Sequence, residues 1–289
     1  MSFCYNLEKG LFDGEFNSQN ERPFLAINWN VIGRCVNNCE YCYGDDIRGL
    51  GELSENSTND LISAIIDLYP DLIVLTGGEP LIHKQYKNIV RRLKDKGVNF
   101  ILDTSAVIDM KDNIENGLYN GVHLRISLDS SEEEINGKIR KSQIKNSAEI
   151  VKNNIRVAVK HGLSLTVQTT ITEGNFSSLE KLGSFLTEVG VKNWRLSVVI
   201  PHSEELKDKA QKEYERLKGL FKNLQIRLSN AIKSDKNHIV LVDPKGNLWV
   251  RNSKNNIKTM VGSLLTDKIS REELIKNIDL ELHCRRYKG

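Results

Sequence analysis

Three cysteines within eight residues are the part of this chain best suited to chemistry: Cys35-x3-Cys39-x2-Cys42, in the run RCVNNCEYCYG. With five cysteines placed at random along 289 residues, such a triplet arises about 7 × 10⁻⁴ times per chain. Three thiolates on one short loop hold three irons of a [4Fe–4S] cube and leave the fourth iron open to an outside ligand. A structural zinc knot is the alternative, and it needs a fourth ligand close by. The next histidine downstream is His83, well beyond the loop. The spacing favours iron–sulfur and leaves zinc open.

The loop must be positioned by what surrounds it. FLAINWNVI (24–32) reads as a strand running straight into the cysteines. A helix from Ser57 to Leu68 follows, with Ser57-Thr58-Asn59-Asp60 supplying capping groups. LIVLTGG (72–78) is a short apolar run of the kind buried in a parallel sheet, closed by Gly77-Gly78. Alternation continues with helix 83–96, strand 98–104, short helix 109–117, strand 121–128, helix 143–161, strand 163–171, helix 176–189 and strand 194–200. Six βα units with right-handed crossovers give an open α/β sheet or a barrel, complete or not. Pro201 punctuates the sixth strand, and a charged helix (204–222) follows. Beyond a boundary near 224 the texture changes to short strands, with Asp243-Pro244-Lys245-Gly246 as a hairpin turn and a last helix at 270–278.

Composition narrows the function classes. Lys+Arg 41 against Asp+Glu 38 leaves a net charge of +3, too small for binding nucleic acid by bulk electrostatics. No run of about 18 apolar residues suggests a membrane span. The N-terminal MSFCYNLEKGLFDGEFNSQNERP is polar and acidic, unlike an export signal. An odd cysteine count in such a chain argues against a disulfide scaffold and points to the cytoplasm.

Two further motifs give the triplet company. TGGEPL (76–81) ends the second strand, and RISLD (125–129), followed by Ile139-Arg140, ends the fourth. With CxxxCx(aromatic)C after the first strand, this order resembles the radical S-adenosylmethionine (SAM) enzymes over roughly residues 24–200, in the branch that holds sulfatase-maturing and peptide-modifying members. The resemblance implies a partial (β/α)6 TIM-like barrel spanning 24–223, after an N-terminal segment (1–23). It implies one [4Fe–4S] cluster on Cys35, Cys39 and Cys42, whose open iron is chelated by SAM. Gly77 and Gly78 suit close backbone approach to the methionyl end of SAM, and Glu79 its amino group. Tyr41 falls where the family has an aromatic near adenine, or shields the cluster. Ser127 and Asp129 share a face by strand periodicity, and the resemblance points them at ribose and the methionyl part. Arg140 is expected either on the methionyl carboxylate or in a surface ion pair with one of Glu132 to Glu134. Ser105 stands in DTSA, where many relatives have Thr-Asn-Gly. Thr170, Ile171 and Val199 are expected beside adenine or in the core.

Residues 224–289 resemble the SPASM or twitch extension of that branch, but only Cys284 of its cysteines is present, so no auxiliary cluster is expected. Cys284, or else Cys4, is also a candidate hydrogen donor to a substrate radical. Trp29, Trp194 and Trp249 read as core, and Arg285-Arg286-Tyr287-Lys288 as a solvated basic tail. The branch implies modification of a ribosomally made peptide by epimerisation or crosslinking, with an electron donor such as flavodoxin or ferredoxin. Only about 23 residues precede the first strand, few for a leader-binding domain, so a small polar metabolite, sugar or nucleotide is the rival substrate. A glycyl-radical-enzyme activase and a non-catalytic metal-binding protein complete the alternatives.

Overall fold

The computed structural model describes residues 3–16, 22–199, 203–229 and 232–289; Pro201 lies outside them. A short hairpin, β1 (Cys4–Asn6) and β2 (Leu11–Asp13), comes first. It is followed by β3 (Ala26–Asn30), α1 (Glu55–Asp67), β4 (Leu72–Thr76), α2 (Tyr86–Asp95) and β5 (Phe100–Thr104). Then come α3 (Lys111–Glu115), β6 (His123–Ser127), α4 (Glu133–Arg140), α5 (Ser147–Lys160), β7 (Leu165–Ile171) and α6 (Leu179–Val189). β8 (Asn193–Val198), α7 (Glu204–Leu220) and β9 (Gln225–Ser229) continue the alternation. The chain finishes with β10 (Ile239–Val242), β11 (Asn247–Arg251), β12 (Lys258–Ser263), α8 (Arg271–Lys276) and α9 (Leu280–Tyr287). Among the described residues no helix is long and apolar enough to cross a membrane.

Two compact units emerge. One comprises Met1–Cys35, Gly44–Leu102 and Ala231–Gly289; the other comprises Val36–Tyr43 and Asp103–Asn230. In the first, β3, β4 and β5 run parallel, β10 joins β3 in parallel, and β11 and β12 extend the sheet antiparallel. LIVLT of β4 is buried over four consecutive residues, as a strand covered on both faces must be. In the second unit β6, β7, β8 and β9 are parallel. Here alternation sets in toward the strand's C-terminal end: Val167, Thr169 and Ile171 are buried while Gln168 and Thr170 are partly exposed. Strand β9 continues the parallel order of the second unit, and residues 231–289 belong to the first.

Several local expectations shift for identifiable reasons. Helix α1 starts two residues before Ser57 because Ser54 is the cap, its hydroxyl accepting from Ser57 N at 3.2 Å. The segment before the long helix forms its own helix, α4, ended by Lys141 in the left-handed region (φ 47°). The basic tail is helix α9, capped by Asp279. The Asp243–Gly246 turn and the burial of Trp29 and Trp194 agree with the sequence.

Helix α9 packs on the hairpin. Phe12, Phe24, Ala26, Leu72, Cys284 and Tyr287 form one apolar cluster, and Gly289 N donates to Phe12 O at 2.9 Å. Its polar pin is His283, fully buried: Nε2 accepts from Ala26 N at 2.9 Å, so Nδ1 is the donor to His238 O at 2.8 Å. Desolvation pushes its imidazole down to about 4. The unfolded chain takes up this proton near pH 6.5 and the folded chain does not. Its contribution, about 3 kcal/mol, is therefore complete above pH 6.5 and lost as the pH falls through 4. Urea titrations between pH 7 and 4 should show this slope, flattened in His283→Gln; equal slopes in the two proteins reject the assignment.

Candidate active site

In the first unit the Gly77-Gly78-Glu79 turn follows β4 and is laced to the segment after β3. Gly78 N donates to Ile32 O (2.6 Å), and Glu79 N to Arg34 O (3.0 Å), one residue before Cys35. Gly77 has φ +139°, a conformation L side chains avoid, and a Cβ there would fall on the Ile32 carbonyl. A Cβ on Gly78 would fall on the Arg34 carbonyl, 2.5 Å from its carbon. The buried Glu79 carboxylate caps the turn at Pro80–Ile82, accepting from Leu81 N at 3.1 Å.

The second unit holds Cys39 and Cys42 with Tyr41, against the end of α4. Arg140 O accepts from Asn38 N (3.0 Å) and from Cys39 Sγ (3.5 Å), and Val36 O accepts from Gln143 N (2.9 Å). Asp129, just past β6 and fully buried, draws three groups together. It accepts from the Tyr41 hydroxyl, from Arg140 Nε (3.1 Å) and from Thr170 N (2.8 Å). Burial raises the Tyr41 phenol, so it stays a donor at working pH, and burial likewise raises the Cys39 thiol. Arg140 is thus buried rather than on the surface, and its guanidinium neutralises Asp129 inside the unit.

Other expected residues divide by face. Ser127, Thr170 and Val199 are partly exposed, and Thr170 stands on the same face of the sheet as Ser127. Ile171 is buried on the opposite face, in the core. Ser105 is buried just past β5. Cys284 is not brought near any of the motifs of its own unit that follow strand ends. It lies in the apolar cluster beside Ala26 and Leu72, the first residues of β3 and β4, whereas the Gly-Gly turn follows the last residue of β4. The sequence reading overlooked Asn136 and Asn175, which fasten this corner. Asn136 Oδ1 accepts from Asp129 N (3.2 Å), and Asn175 Nδ2 donates to Asp129 O and Thr170 O (2.9 Å each). Nothing in their local sequence marks them, because both act on residues positioned by other strands.

Three reduced thiols on one loop, with glycine-only backbone beside the first, fit a [4Fe–4S] cluster by donor type and spacing. Among the described residues no three His, Cys, Asp or Glu side chains are already gathered to hold an ion. SuiB of Streptococcus suis, solved with S-adenosylmethionine, superposes with a TM-score of 0.69 at 11% identity, over 91% of this chain and 68% of that one. That likeness gives the fold, the partial α/β barrel expected from the motifs. The sequence profile of the radical SAM superfamily matches residues 29–186. The chain belongs to the radical SAM superfamily, whose cofactors are a [4Fe–4S] cluster and SAM. Among its relatives, the AdoMet-dependent heme synthase of Methanosarcina barkeri is 24% identical over 204 residues, 69% of this chain and 58% of that protein. The S-adenosylmethionine-dependent nucleotide dehydratase of Psychrobacter lutiphocae is 23% identical over 256 residues, 80% of this chain and 84% of that protein. The chain therefore spans little more than half of the first relative and most of the second.

Proposed function

We propose that this chain is a radical SAM enzyme in which Cys35, Cys39 and Cys42 hold the cluster. When bound, the reduced cluster and SAM supply a 5′-deoxyadenosyl radical that takes a hydrogen atom from the substrate. Gly77, Gly78 and Glu79 receive the methionyl end of SAM, and Ser127, Thr170 and Val199 line its nucleoside side. Asp129 and Arg140 act as positioning residues: they hold Tyr41 and the Cys39 backbone in place. The observation carrying this reading is that Asp129 accepts from Tyr41 and Arg140 while Arg140 O receives Cys39, which fastens the cysteine loop to the end of β6.

Anaerobic reconstitution followed by dithionite and SAM should yield 5′-deoxyadenosine, read by mass spectrometry. Replacing all three loop cysteines by alanine should remove about four irons per chain and the product with them. A fully loaded protein that releases no 5′-deoxyadenosine overturns the proposal.

For the substrate, the fold shared with SuiB, a protein also crystallised with its precursor peptide SuiA, supports a ribosomally made peptide. The second reading is a small polar metabolite, sugar or nucleotide, favoured by the polar row in which Ser127 lies opposite Gln168 and Gln168 opposite Arg195, and by the nucleotide dehydratase relative. A small protein such as flavodoxin or ferredoxin would donate the electron.

A further inference from the structure

In the first unit the sheet ends on β12, which pairs with β11 on one side and has no neighbour on the other among the described residues. The pairing fixes which backbone groups that edge offers. Asn252 N donates to Ile257 O at 3.3 Å, so the polar backbone groups of Ile257 face β11. Along an antiparallel strand these groups alternate sides. Those of Thr259 therefore face β11 too, and those of Lys258 and Met260 point outward. No other described group bonds to that outward pair. Farther along, the edge closes: Ser263 N donates to Asp267 Oδ2 at 2.8 Å, and a Cβ on Gly262 would meet Asp267 and Ile269.

The open stretch is apolar on one face and tied to the segment that leaves the cysteine loop. Met260 lies opposite Trp249, Trp249 opposite Leu241, and Leu241 opposite Asn28, one row across four strands. Trp249 is partly exposed rather than core, and Asp243 Oδ2 fixes its indole by accepting from Nε1 at 3.0 Å. Met260 and Ile257 are each exposed by half or more. Edge strands are commonly guarded by a lysine or a proline. Here Lys258, the one charged residue of KTMVGS, is drawn to Asp46 in the Asp45–Ile47 turn, four positions after Cys42. Strand β12 runs in the direction of β3, so the edge leads toward the end of the sheet where Cys35 and the Gly77-Gly78 turn follow.

We propose that this edge seats an extended segment of the peptide substrate as an added strand. The segment pairs with the N–H and C=O groups of Lys258 and Met260, and one of its apolar side chains lies on Met260 beside the fixed Trp249 indole. Such an edge selects a polypeptide, because a chain with its own alternating N–H and C=O groups answers both residues at once. A sugar or nucleotide lacks that repeat. An aromatic side chain suits the position, since thioether and indole both pack well against a ring. This seating deepens, and rests on, the reading of the chain as a radical SAM enzyme that acts on a peptide.

Of the three methionines, Met110 and Met260 lie inside the chain, and the buried Met110 N donates to Asn154 Oδ1 at 3.0 Å. Full-length protein labelled with 15N-methionine thus reports the edge at Met260 and carries its own reference at Met110. The probe is a capped heptapeptide, Lys-Thr-Val-Phe-Val-Thr-Lys. On titration the Met260 amide should shift and exchange with solvent about tenfold more slowly, with Met110 unchanged. Alanine in place of the probe's phenylalanine should weaken binding about fivefold. Met260→Pro removes an N–H that the β11 pairing does not use, and should weaken binding of a fluorescent probe about tenfold or more. Thr259→Ala, on the opposite face, should bind it like the wild type. A Met260 amide unmoved by the peptide, or equal binding by Met260→Pro and Thr259→Ala, overturns the proposal. So does a Met260 amide already protected without peptide in a chain that sediments as a dimer, which assigns the edge to a second copy. Should Met260→Pro unfold, judged by circular dichroism, the amide titration on the wild type decides alone. The titration needs no SAM cleavage, so its failure leaves the 5′-deoxyadenosine result standing, and a chain that makes no 5′-deoxyadenosine can still bind the heptapeptide.

Discussion

Gly78→Ala should unfold more easily than the wild type by about 3–5 kcal/mol and lose SAM binding. The added Cβ would meet the Arg34 carbonyl, backbone that no rotamer change can move aside. Relief requires the turn to lift from the segment after β3, which breaks Gly78 N to Ile32 O and Glu79 N to Arg34 O together. Overpacking of this kind costs about 1–3 kcal/mol, and each lost hydrogen bond about 1 more. Because Arg34 is bonded to Cys35, the displacement also reaches the first cysteine proposed to hold the cluster. Gly51→Ala is the control: nothing lies within 4 Å of its Cβ, and its stability should stay within about 0.5 kcal/mol of wild type. Urea midpoints and equilibrium dialysis with labelled SAM read both effects. A Gly78→Ala protein as stable as Gly51→Ala, with SAM still bound, shows that the turn is not held at backbone distance.

What was legible in the sequence is what spacing alone encodes. The cysteine triplet, the Gly-Gly turn after an apolar run and the Asp243–Gly246 hairpin are local patterns, and each lies where its pattern put it. Helix α9 was not legible, because its basic residues Arg285, Arg286 and Lys288 conceal His283, Cys284 and Tyr287 on one buried side. That side packs against Phe12, Phe24 and Leu72, residues more than 200 positions away. The partner of Arg140 was missed for the same reason. Local charge offers Glu132 to Glu134, but a buried guanidinium is fixed by whichever carboxylate the fold has already removed from water. The alternation in RIS, VQTTI and RLS was visible as strand periodicity, yet that Arg195 and Arg227 stand side by side depends on register, which no single strand carries.

Arg140→Met should destabilise the chain by about 3–5 kcal/mol, the cost of leaving a buried carboxylate without its counter-charge. Asp129 is sealed from solvent, and methionine matches the arginine stem in bulk, so the loss isolates charge rather than volume. The Tyr41 hydroxyl and Thr170 N remain, but neutral donors offset only part of a desolvated charge. Adding Asp129→Asn to Arg140→Met removes that charge and should recover a large part of the stability, since the buried pair is worth far less than the penalty for breaking it. The cycle also separates fold from function. Arg140 O, which receives Asn38 N and Cys39 Sγ, is backbone and survives both substitutions. Iron loading should therefore follow how well the end of α4 is held: poor in Arg140→Met and partly restored in the double variant. Urea titration and iron analysis on the four proteins give both numbers. A single variant that loses less than about 1 kcal/mol, or a double variant no better than the single, means that Arg140 does not neutralise Asp129.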